Sequence, residues 1–195
     1  MTAATIPNPG GLQALGTIQC PMKLKFTCVT ATTSTITWAN ILDTVVVATT
    51  STTLYDVFYS ARLKAVRIWT PPQAGTAAYQ ATIAFDSPSQ GDQRVWVVSS
   101  GPMGGYCECK PSKNSANGRF WEDSSSVGVF TINSMPVGTL IELDLVFRSR
   151  LGQGSAVAAA QAGSGLSAGT IYFRGMDGLA AASTKFYPQP ASYAA

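Results

Sequence analysis

Histidine is absent from this 195-residue chain, and only 12% of its residues are charged. Without imidazole there is no base for a Ser-His hydrolase and no histidine ligand for a catalytic metal. Scarce charge suits a chain that hides much of its surface, in its core or against copies of itself. Charge is missing altogether from Met1 to Met22, so there is neither a basic tail nor the charged start of a signal peptide. Pro7, Pro9, Gly10 and Gly11 make that segment an expected extended arm, and no export signal is expected. Long apolar runs are lacking too: Thr44 to Ala48 falls far short of the ~20 residues that span a bilayer, and a soluble protein without membrane contact is expected. The four cysteines, Cys20, Cys28, Cys107 and Cys109, lack C-x-x-C spacing and the density of a disulfide framework, so free, mostly buried thiols are expected.

What is present is β-prone sequence punctuated by turns. Leu54 to Pro72 is the most telling stretch. After Arg62, the residues Leu63, Ala65, Val66, Ile68 and Trp69 read as a strand covered on both faces, stopped by Pro71 and Pro72, which lack the ladder donor. Lys23 to Thr30 alternates, with Lys23, Lys25 and Thr27 opposite Leu24, Phe26 and Cys28. Further strands are expected at Thr35–Trp38, Thr44–Ala48, Tyr79–Phe85, Arg94–Val98, Val127–Ile132 and Thr170–Arg174. Leu54 to Tyr59 is read as one helical turn, and residues 110–126, with the turn signal Asn117-Gly118, as a long surface excursion. Thr139 to Arg150 is the best amphipathic strand: Leu143, Leu145 and Phe147 face one way, Glu142, Asp144, Arg148 and Arg150 the other. Gly152 to Gly169 reads as a flexible small-residue connector, and Phe186 to Pro190 belongs to an extended tail.

Several motifs suggest chemistry and fail on context. Gly165-Leu166-Ser167-Ala168-Gly169 matches a nucleophile elbow, but the motif needs a preceding strand, a following helix and a histidine. Glu142-x-Asp144 resembles the start of a glycosidase acid triplet, yet position 147 is Phe147, and Arg148 and Arg150 share the face, so a solvated or interfacial charge cluster is expected. Asp86 and Asp92 bracket a turn that could help hold a structural Ca²⁺ at a subunit interface, but turn chemistry explains them and no cofactor is expected. Cys107 and Cys109 would share one face of a strand.

In their order, SARLKAVRIWTPP at 60–72, YQATIAFDS at 79–87, VGTLIELDLVF at 137–147 and GTIYFRGMDG at 169–178 with its aromatic-proline tail resemble the single jelly-roll capsid proteins of small icosahedral viruses. The likeness is to tombusvirus-like and sobemovirus-like shells, also found in circular single-stranded DNA viruses. It implies an all-β fold: a single eight-stranded antiparallel jelly-roll sandwich, with an extended N-terminal arm at 1–21, a shell domain at 22–150 and a C-terminal extension at 151–195 belonging to the same domain. It also implies a non-catalytic homo-oligomer of many copies, assembled inside a host cell into a virion.

Such capsid proteins commonly carry a basic arm, which this chain lacks. Weak, sequence-independent contact with a single-stranded RNA or DNA genome is therefore expected from alternate-residue cation pairs, Lys23 with Lys25, Arg62 with Lys64 and Arg148 with Arg150. The alternative for each pair is a solvated or salt-bridged surface. The competing reading of the whole chain is a carbohydrate-binding, lectin-like β-sandwich with Trp96, Trp121 and Tyr106 as stacking platform and Trp38 and Trp69 in the core.

Overall fold

The computed structural model describes residues 17–72, 79–87, 92–100, 102–112, 115–119, 121–122, 127–150, 161–180 and 182–189. Alternating sequence makes two long central partners. β1 (Thr17–Cys28) runs antiparallel to β11 (Leu140–Arg150), in register from Thr17 opposite Arg150 to Thr27 opposite Leu140. The alternation evident from Lys23 thus continues back to Thr17 in the backbone. On the other side of β11 lies β5 (Ser60–Thr70), followed by β8 (Gly105–Cys109), which completes the row β1-β11-β5-β8. β14 (Phe186–Gln189) extends that row beside β1, and the two-residue β9 (Trp121–Glu122) pairs with the start of β5.

The second sheet orders β2 (Thr32–Thr37), β10 (Gly128–Met135), β6 (Tyr79–Ser87) and β7 (Asp92–Ser100) as β2-β10-β6-β7. Counting only β1, β2, β5, β6, β7, β8, β10 and β11, one sheet holds the first, eighth, third and sixth strands and the other the second, seventh, fourth and fifth. That interleaving is the strand order of a jelly roll, two Greek keys wrapped into an antiparallel sandwich. Between the sheets, Leu24, Phe26, Leu63, Ile68, Ile141, Leu145 and Phe147 meet Ile36, Ile83, Phe85, Phe130 and Ile132. Phe85 stands edge-on to both Trp96 (5.3 Å) and Phe130 (6.0 Å).

Elaborations surround this frame. Trp38–Leu42 is a short helix, α1, where the sequence suggested the end of a strand. Thr37 and Asn40 form a reciprocal capping box that starts it, and Trp38, Ile41 and Leu42 are buried. Leu54 to Tyr59 is not a helical turn: β4 (Thr53–Asp56) pairs with β3 (Val45–Ala48), because Leu54 is needed to cover Val46 and Ala48. The same small sheet takes in β12 (Gln161–Ala162) and β13 (Ile171–Phe173). Part of the expected flexible connector is therefore fixed. Leu166 is buried in the Val46 cluster, and the Ser167 N–H donates to the Tyr172 hydroxyl at 2.9 Å. Residues 151–160, where that connector begins, lie outside the described residues.

The excursion at 110–126 is less superficial than its polarity suggests. Ser115 and Asn117 are buried, and Asn117 Nδ2 donates to the Val129 carbonyl at 3.3 Å. A second correction concerns β5. Opposite Asp144 and Leu145 the register slips by one residue, so Leu63 and Val66 face inward while Ala65, Arg67 and Trp69 face outward. Trp69 consequently lies on the outer face, half-buried against Tyr106 with ring centroids 5.3 Å apart, and not in the core. Nor is β5 apolar on both sides, since Arg62 and Arg67 share that outer face.

Candidate functional site

The chemistry-bearing side chains gather on the outer face of the first sheet. Alternation turns Lys23 and Lys25 of β1 and Glu142 and Asp144 of β11 outward, while the slip in β5 turns Arg67 the same way. Cross-strand register then lines up Gln189, Lys25, Glu142, Arg67 and Glu108 from β14 to β8. The charges alternate along this row, the arrangement in which cross-strand pairs attract.

Arg67 is its centre. Its Nη1 lies 2.6 Å from Glu142 Oε1, its Nη2 lies 3.1 Å from Glu108 Oε1 and 3.7 Å from Asp144 Oδ2, and its Nε–H donates to Glu108 Oε1 at 3.2 Å. Lys25 Nζ reaches the other Glu142 oxygen at 3.6 Å, and Lys110 Nζ lies 3.2 Å from Glu108 Oε1. Glu142 is nearly buried, its side chain 9% exposed, which only opposite charge on both sides makes tolerable. The hydrogen bond to Glu142 raises the Arg67 pKa above its ordinary value. The Lys110 hydrogen bond, with help from Arg67, holds Glu108 below the usual carboxylate range. Both acids of the Glu142-x-Asp144 motif are thus engaged by Arg67 in a charge cluster.

The six cations singled out from the sequence all lie on this sheet, but in two groups. Lys23 is exposed and in register with Asp144, and Lys25 belongs to the ladder. Toward the start of β5 and the end of β11, Arg62 lies opposite Val146, Arg148 opposite Ser60 and Gln19, and Arg150 opposite Thr17. Arg62 and Arg148 are half-buried and interact within the fold; Lys64, at the register slip, is exposed. Only the backbone of Arg150 is described, as is that of Glu122, an acid in register with Ser60. Arg67 was missed because strict alternation through β5 sends it inward; the consecutive apolar residues Ala65-Val66 are the sequence trace of the slip.

The outer face of the second sheet is different in kind. Thr35, Thr131, Asn133, Thr82, Ala84, Val95 and Val97 occupy it, and no charge is found among its described side chains. Thr35 and Thr131 hydroxyls are 3.0 Å apart, and Asn133 Nδ2 donates to the Thr82 hydroxyl at 3.3 Å.

Of the aromatic platform, Trp96 points inward onto Phe85, Tyr106 is exposed on the first sheet, and the Trp121 side chain lies outside the described residues. The side chains of Asp86 and Asp92 also lie outside them, and among the described residues no three His, Cys, Asp or Glu side chains are grouped to hold a metal. All four thiols are free, with Cys28 and Cys109 buried and Cys20 and Cys107 half-buried. A groove of about 230 Å³ beside β1 is lined by residues 22–26, Phe173, Pro188 and Gln189, with two lysines as its only titratable groups.

No protein-family model matches this chain, and no curated protein does. Among solved structures it is similar to a chain of the cryo-EM structure of the extra small virus VLP of the giant freshwater prawn Macrobrachium rosenbergii. That likeness has a TM-score of 0.48 at 10% identity, over 76% of this chain and 86% of that one. The jelly-roll assignment rests on the strand order itself.

Proposed function

We propose that this protein is the coat subunit of a small icosahedral virus, a non-catalytic protein that assembles inside the host cell into the closed shell of a virion. The observation that carries this reading is a jelly roll whose two outer faces are unlike, one without charge among its described side chains and one carrying a charge ladder with a cationic end. A face of threonine and valine is inexpensive to desolvate against another copy, whereas a lysine-rich surface repels one. In this reading 22–150 form the shell domain, 1–21 are the arm, whose last five residues pair with β11 as the start of β1, and 151–195 extend the same domain. Arg62, Lys64, Arg148 and Arg150 are the groups for weak, sequence-independent phosphate contact, with Lys23 and Lys25 secondary because Lys25 is committed to Glu142.

Negative-stain electron microscopy of the purified protein, with absorbance at 260 and 280 nm on the same fraction, tests this. Uniform closed particles are expected, with a nucleic-acid-like ratio if the cationic end packages a genome. A monodisperse monomer across salt and pH overturns the shell reading. It would favour a carbohydrate-binding module, for which the exposed Tyr106 beside Trp69 is an outer-face aromatic pair that a sugar ring could stack against.

A further inference from the structure

β7 is an edge strand: among the described residues it pairs only with β6, so alternate backbone N–H and C=O groups along its other side have no strand to meet. Its outward side chains Val95 and Val97 are 62% and 55% exposed, next to Ala84 and Thr82 of β6. Proteins guard such edges with charge, proline or brevity. The opposite edge of the same sheet, β2, is six residues of threonine, serine and isoleucine. β7 has nine residues, and from Val95 to Val98 it contains neither charge nor proline.

We infer that β7 is a self-pairing edge, and that it takes the β7 strand of a second copy antiparallel across a two-fold axis through Trp96. The choice of occupant rests on the self-association reading above and on the sequence of the strand. Rotation about Trp96 puts Val95 opposite Val97 of the other copy and Val97 opposite its Val95, and all nine residues of each strand find a counterpart. In that register Asp92 meets Ser100 and Arg94 meets Val98, so no like charges face each other. A two-fold axis perpendicular to the sheet keeps outer face with outer face. The four valines then form one apolar cluster, flanked by the uncharged Thr82 and Ala84 of each copy. Two four-stranded sheets become one continuous sheet with β2 at both ends. Backbone hydrogen bonds supply affinity in such strand addition, and the valine match fixes register.

The experiment is sedimentation velocity of the full chain and of the double variant Val95→Lys, Val97→Lys, with circular dichroism to check folding. The wild-type chain is expected to sediment as a dimer or larger, and four lysines around one axis should weaken self-association at least about tenfold. Unchanged association of the folded variant overturns the inference. Should the variant fail to fold, a mixture of Val95→Cys and Val97→Cys chains decides. Directly opposed positions lie within disulfide reach, whereas the Val95–Val95 and Val97–Val97 diagonals are roughly 7–8 Å apart. A mixed disulfide dominating over both self-linked products supports the register; equal yields or none overturn it. Failure of this inference is distinct from failure of the shell reading. Closed particles that persist in the lysine variant leave the shell standing without β7, and a β7-linked dimer that never closes into particles leaves β7 pairing without the shell.

Discussion

Arg67 on β5 and Glu142 on β11 meet at 2.6 Å directly across the strand pair, and Glu108 and Asp144 crowd the same guanidinium. Arg67→Ala would leave three carboxylates facing one another, one of them nearly buried. The variant is expected to lose about 1–3 kcal/mol of stability, since removing one partner strands the other charge. Replacing Glu142 by Leu in the same chain should recover part of that loss, because leucine needs no counter-charge. Urea midpoints of the single and double variants measure both effects, and a double variant less stable than Arg67→Ala alone would refute the account.

The same ladder makes stability depend on pH. Glu108 has a folded pKa held below its ordinary value by Lys110 and then Arg67. A carboxylate of that kind contributes stability that is present above its unfolded pKa, near 4.3, and is lost as pH falls through the lower folded value. Acid should therefore weaken the fold progressively below about pH 4.3, and Glu108→Gln should flatten that part of the curve by lowering stability at neutral pH while leaving the acid end little changed. Thermal melts across the acid range, wild type against variant, provide the check.

How much of this arrangement could be read from the sequence depended on where alternation holds. From Lys23 to Cys28 and from Glu142 to Phe147 it is unbroken, and the faces inferred for Lys25, Glu142 and Phe147 are the ones observed. At Lys64 the slip reverses parity, so Trp69, expected in the core, lies outside and Arg67 comes to share its face, although the strand itself was plain. Leu54 and Trp38 failed for another reason. Their conformations are chosen by tertiary burial, Leu54 by the Val46 cluster and Trp38 by the helix that carries it into the core, and local propensity carries no trace of that. The ladder as a whole was out of reach, since it depends on four strands far apart in the chain arriving in one register.

The thiols offer a test of the core. Burial pushes the Cys28 and Cys109 thiols up in pKa, so they carry little thiolate at neutral pH as well as being enclosed. Alkylation of the native protein is expected to leave both unmodified, whereas in denaturant all four cysteines react. Peptide mass mapping reads this out, and native labelling of Cys109 at the rate of Cys107 would show that β8 does not pack as described.

If the cationic end of the first sheet, and not the ladder, touches nucleic acid, two variants must part company. Arg62→Gln with Lys64→Gln removes two charges of the cationic end, where Arg62 lies opposite Val146 of β11. Lys23→Gln with Lys25→Gln removes charges lying opposite Asp144 and Glu142. Removing one cation that meets a phosphate lowers the slope of log affinity against log salt by about 0.7 for a single strand. The first variant is therefore expected to bind a single-stranded oligonucleotide more weakly and with a shallower salt slope. The second should keep the slope and lose stability, because Glu142 is nearly buried and Lys25 is one of its two counter-charges. Fluorescence anisotropy titrations at several salt concentrations distinguish the two. Equal slopes for both variants and the wild type would remove these four cations from genome contact, because a charge that meets no phosphate releases no counterion when phosphate binds.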